Sequence, residues 1–159
     1  MTVFDLESFR DYFLTLMKTD LNGAITAISV EKADSIPLAS FVDAQYTGDL
    51  NEKVMNYETF VYYYFPQIET IENAGAGGAM DIAMAFDIVF TQIEGGTLAE
   101  TQLMRYTRAL KDVIENKSAN MRADVGDISV QEFAPTVIMA NKTSQWIKVA
   151  GVTIKGTIG

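Results

Sequence analysis

The stretch Met80-Asp81-Ile82-Ala83-Met84-Ala85-Phe86-Asp87-Ile88-Val89-Phe90 decides the fold. Every second residue from Met80 to Phe90 is large and apolar, and those between are small, acidic or of modest bulk. Side chains alternate across a strand, so this pattern predicts a β-strand with one greasy face. Gly95 and Gly96 stop the strand, and Thr97 opens a helix. Thr97 and Glu100 have capping-box spacing, in which each side chain satisfies a free backbone N–H at the other's position. Leu98, Leu103, Tyr106, Leu110, Val113 and Ile114 follow at helical spacing, with Arg105, Arg108 and Lys111 largely on the far side. A strand leading into an amphipathic helix presents two apolar surfaces that must bury each other.

Upstream, Tyr57 to Phe65 is dense in aromatics and reads as a strand covered on both faces, which Pro66 breaks or bends at an edge. Gln67 to Glu72 resumes a looser alternation. Asn73 to Ala79, with Gly75, Gly77 and Gly78, links the two strands as a long hairpin loop. Nearer the N-terminus, Val3, Leu6, Phe9, Phe13, Leu16 and Met17 recur at spacings of three and four. They predict an amphipathic helix from Val3 to Met17, with Asp5 and Glu7 complementing its dipole and Asp20, Asn22 and Gly23 as its stop. Ala24 to Val30 leans toward β structure. Residues 31–55 hold Pro37, Gly48 and scattered acids without sustained periodicity, and read as an extended, partner-facing arm.

Downstream, Ile128, Val130 and Phe133 begin a β segment that continues through Pro135 to Met139. Asn141 to Ser144 reads as a turn, and Trp146 to Ile158 alternates again. The order helix, β-hairpin, helix, β-hairpin predicts a single domain over residues 1–159. Its class is α+β: a mostly antiparallel sheet from two hairpins with two amphipathic helices packed on it.

Composition narrows the function. A chain of 159 residues that is 48% hydrophobic is large enough to bury a proper core. No run of eighteen apolar residues occurs, and Asp5 and Glu7 stand where a signal peptide would be basic, so synthesis in the cytoplasm and no membrane partner are expected. The absence of cysteine and histidine removes disulfides, thiolate catalysis, the commonest general base and the commonest transition-metal ligand. With 21 acids against 12 basic residues, the net charge of −9 opposes a grip on nucleic acid.

The remaining chemistry is sparse. Gly75-Ala76-Gly77-Gly78 lacks the helix that must follow a phosphate-cradling loop, and reads as a hairpin tip. Asp81 and Asp87 share a strand face, but six residues set them roughly 20 Å apart, too far to share an ion or a substrate atom. Asp124 and Asp127 lack calcium-loop spacing. Tyr62, Tyr63 and Tyr64 have no basic groove beside them, and read as core or subunit-interface aromatics. No nucleophile with a partner base is present. The expectation is a non-enzyme with no cofactor and no metal site.

The order of elements, with Met80 to Ile88, Gln102-Leu103-Met104-Arg105-Tyr106 to Ile114, and the tail Trp146-Ile147-Lys148-Val149-Ala150-Gly151-Val152-Thr153-Ile154, resembles the small neck proteins of tailed bacteriophages. Among these it is most similar to the tail terminators. The resemblance implies a virion protein that forms a homo-oligomeric ring, usually a hexamer. Such a ring ends the tail tube, joins it to the head-side connector or adaptor, and lets DNA pass without sequence-specific binding. It makes Asp81, Asp87, Gly75, Gly77, Gly78, Tyr62, Tyr64 and Trp146 candidate lumen or ring-interface positions. Two alternatives stand beside it. One is another neck component, a head-completion or connector-adaptor protein. The other is a small-ligand carrier, or an enzyme working with acids and tyrosines alone, with a cavity between sheet and helices.

Overall fold

A computed structural model describes residues 5–49, 57–71, 79–91, 98–117, 125–139 and 146–158. Its elements in chain order are α1 (Leu6–Lys32), β1 (Tyr46–Thr47), β2 (Thr59–Ile71), β3 (Ala79–Phe90), α2 (Leu98–Lys117), β4 (Val125–Met139) and β5 (Trp146–Ile158). The five strands form one sheet in the order β1-β2-β3-β5-β4. All neighbours are antiparallel except the short β1, which runs parallel to β2 beside Val61 and Tyr62. The class is the expected α+β, and the central strand is the alternating stretch that begins at Met80.

The alternation sorts as predicted. Ile82, Met84, Phe86, Ile88 and Phe90 join Ala150, Val152 and Ile154 of β5 in the main core, together with the buried faces of both helices. The helix α2 lies on β3, β5 and β4, and α1 packs against α2. Residues of the opposite parity, Phe60, Val89 and Val149, form a second and smaller cluster with Tyr62 packed against it.

The first helix departs from expectation. It does not stop at Asp20-Asn22-Gly23, and Ala24 to Val30 is helical, so α1 runs for 27 residues, ~40 Å at 1.5 Å per residue. The reason is burial. Phe9, Phe13, Met17, Leu21 and Ile25 follow one another every fourth residue, then Ile28 after three, and none is more than 2% exposed. Each such burial stabilises by roughly 1.5–3 kcal/mol. A helical glycine costs only about 1 kcal/mol and a β-branched residue a few tenths. Asp5 caps the helix, its carboxylate accepting the Ser8 backbone N–H at 2.9 Å, which holds the Asp5 carboxyl below its usual pKa. At the other end Ala33 takes a left-handed conformation with φ of 47° and donates its N–H to Ser29 O. The Thr97 cap lies outside the described residues.

The segment read as an arm is, over residues 33–49, fastened along the domain's own helices. The Asn22 amide clasps Phe41, accepting its N–H and donating to its carbonyl, each at 2.8 Å. The Tyr106 hydroxyl accepts the Ala39 N–H at 2.8 Å and donates to the Ala39 carbonyl at 3.2 Å. Gln102 donates to Pro37 O at 2.7 Å. Arg105 grips Asp34 with two nitrogens, at 2.8 and 2.5 Å. Phe41 and Tyr46 sink into the main core, where burial pushes the Tyr46 phenol up in pKa. Up to a 3-10 turn at Asp43–Gln45 the strap is extended and aperiodic, because side chains distant in sequence satisfy its backbone.

Candidate functional site

Both long outer strands are bent at a proline. In β2 the register shifts between Tyr64 and Gln67, across Pro66; in β4 it shifts between Phe133 and Thr136, across Pro135, and again between Gly126 and Ser129. Proline cannot donate to a ladder, so it is tolerated at edges and bulges. Beyond the two residues of β1, no strand among the described residues pairs with the outer edge of β2, and none pairs with the outer edge of β4. Because each step from β2 through β3 and β5 to β4 is antiparallel, the two outer strands run in opposite directions. Ser129, Gln131 and Glu132 of β4 are exposed.

The candidate residues of the sheet divide sharply. Asp81 is exposed and accepts a hydrogen bond from the Thr157 hydroxyl of β5 at 2.9 Å. Asp87, on the same strand face, is only 7% exposed, and its Oδ1 has no hydrogen-bond partner among the described residues. Tyr62 stands directly opposite Asp87 on β2, and Gly151 opposite it on β5. Tyr62 and Tyr64 stack with ring centroids 4.9 Å apart and planes 22° apart. Burial pushes the Asp87 carboxyl up to about 6, against the pull of a hydrogen bond from the Tyr64 hydroxyl. Burial and the Asp87 charge push the Tyr64 phenol up to about 12. Of the two candidate lumen acids, Asp81 therefore lies at the surface, whereas Asp87 is buried, flanked by Phe86 and Ile88 in the central strand.

Gly151 makes this packing feasible. A Cβ there would lie 2.1 Å from the Phe86 carbonyl oxygen, 2.9 Å from Asp87 Cα and 3.0 Å from Asp87 Oδ1. The residue was not singled out from the sequence, although a glycine inside an alternating strand is a recognised sign of close backbone approach. Trp146 pairs with Met139 at the end of β5; its side chain, and Gly75, Gly77 and Gly78, lie outside the described residues.

No group of three or more metal-ligating side chains occurs among the described residues. A groove of about 490 Å³ runs along α1, bordered by Ser8, Asp11, Tyr12, Thr15, Leu16, Thr19 and Asp20. All of these come from one helix, so no second element among the described residues converges on a ligand there, and Asp11 is paired with Arg10 at 2.8 Å. No helix of the described residues is long and apolar enough to cross a membrane. No protein-family model matches the chain, and no curated protein is significantly similar to it.

Proposed function

We propose that this chain is a structural subunit of the tailed-phage neck, of the tail-terminator kind, acting by self-assembly into a ring rather than by catalysis. The observation that carries the reading is that β2 and β4 run in opposite directions, with outer edges that, beyond the two residues of β1, carry no strand among the described residues. A ring needs a heterologous contact that closes on itself. The β4 edge of one copy can meet the β2 edge of the next as an antiparallel pair, the commoner kind of ladder. Repetition of that contact keeps the helices of every copy on one side of the ring wall. The bulges at Pro66 and Pro135 limit indiscriminate edge pairing, leaving the stretches on either side of each bulge for a specific partner. The net charge of −9 suits a passage that DNA traverses without sticking. Element order and chain length, as in the neck proteins it resembles, support the same role. Its partners would be the tail tube on one side and the head-side connector or adaptor on the other.

The mass of the purified full chain, by light scattering and native mass spectrometry, is the first test. A closed ring, six-membered for a terminator, that caps isolated tail tubes in electron micrographs is the expected result. A twelvefold ring that ignores tubes would move the chain to the connector-adaptor layer. A persistent monomer that retains a small metabolite would overturn the reading in favour of a carrier.

A further inference from the structure

We propose that Asp87 is a proton-operated latch in the middle of the sheet: it is held as a neutral carboxylic acid when the β2–β3–β5 face is closed, and its ionisation loosens that face. The inference depends on the packing of one subunit and stands whether or not the ring forms.

The geometry leaves the charged form poorly served. Oδ1 is enclosed without a hydrogen-bond partner among the described residues. The strand opposite contributes Gly151, whose backbone packs close enough that even a methyl group would crowd Oδ1. A buried ionised carboxylate is costly unless paired and hydrogen-bonded, whereas the neutral acid is tolerated. The groups facing Asp87 offer little compensation. From β2 come Tyr62 and Tyr64, stacked on each other, and Tyr64 donates the hydrogen bond that partly favours the charge. On β3 the nearest titratable neighbour of the same parity is Asp81, six residues away, with its own partner in Thr157. The cation of the same parity on β5 is Lys155, which is exposed and stands opposite Ala83 rather than Asp87.

The sign follows from the direction of the shift. The folded pKa, about 6, lies above the ordinary 3.8. Its contribution to stability is complete below the ordinary value and is lost as the pH rises through about 6. The direct experiment is a ¹³C titration of the Asp87 side-chain carboxyl in the labelled full chain. A midpoint near 6 is the expected result, with amide protection in Tyr62–Tyr64 and Ile88–Phe90, corrected for the intrinsic rise of exchange with pH, falling between about pH 4 and pH 6 and levelling off above; a midpoint at or below 4 overturns the proposal. Denaturation of wild type and Asp87→Asn gives a second reading. The wild type should lose about tenfold in its folded-to-unfolded ratio between pH 5 and pH 8 relative to the variant, and an unchanged difference between the two counts against the latch. Should Asp87→Asn fail to fold, Tyr64→Phe keeps the test open. Removing its hydrogen bond must move the Asp87 midpoint higher, and a midpoint that falls or stays refutes the arrangement.

Discussion

Two glycines of this chain should respond to the same substitution with opposite signs. At Gly151 an added Cβ would stand 2.1 Å from the Phe86 carbonyl oxygen and 2.9 Å from Asp87 Cα, both backbone atoms that no rotamer change can remove. Ordinary contact lies above 3.4 Å, so relief requires β5 to shift by about 1 Å from β3, against a normal strand spacing of about 4.8 Å. Overpacking of this kind typically costs 1–3 kcal/mol. Weakening one or two ladder hydrogen bonds adds ~1 kcal/mol each. Gly151→Ala should therefore destabilise by roughly 3–4 kcal/mol, a large part of a typical domain's total stability. At Gly23, inside α1, nothing lies within 4 Å of the added atom. Gly23→Ala should stabilise by about 0.5–1 kcal/mol, through the smaller conformational freedom of the unfolded chain and better helix propensity. Urea denaturation followed by circular dichroism, with slopes compared to confirm that midpoints report stability, measures both. A Gly151→Ala loss below 1 kcal/mol, or any loss at Gly23, would refute the close strand approach or the unbroken helix respectively.

Three further outcomes follow from the strap and its anchors. Asn22→Ala leaves the Phe41 N–H and carbonyl without their partners and should cost about 1–3 kcal/mol, read by the same denaturation. Ala33→Gly relieves a left-handed residue at the end of α1 and should stabilise by about 1 kcal/mol, raising the thermal midpoint. The Arg105 guanidinium, hydrogen-bonded to the Asp34 carboxylate, holds it down at about 2. That lowered pKa contributes stability present above about 4 and lost as the pH falls toward 2. Arg105→Ala should abolish this part of the acid transition, seen as a flatter stability profile between pH 4 and pH 2.

Much of the architecture was legible because it rests on local periodicity. The alternation from Met80 to Phe90 fixed both a strand and the identity of its core face, and the spacing from Leu103 to Ile114 fixed a helix. In sequence the second half of α1 leans toward β structure because Gly23, Ile25, Thr26 and Ile28 carry weak local signals. The burial of Leu21, Ile25 and Ile28 against the rest of the core outweighs those signals. The strap was illegible for another reason. Its order comes from Asn22, Gln102, Arg105 and Tyr106, whose proximity is created only by the fold. At the site, Asp81 and Asp87 looked alike because strand parity was readable and depth was not. Which of them faces a glycine across the ladder is a matter of register between β3 and β5, and that is set by pairing rather than by composition.

The strap is gripped mostly through main-chain atoms: the Pro37 carbonyl, both polar groups of Ala39 and both of Phe41. Such a clasp is nearly blind to spelling. Across diverging relatives, positions 37, 39 and 40 should drift freely, short of a proline at 39, and position 38 should stay apolar because Leu38 packs on the core, while the asparagine, glutamine and tyrosine that hold them stay put. A lineage could thus rewrite this stretch for new neighbours without surrendering the path it takes over the helices.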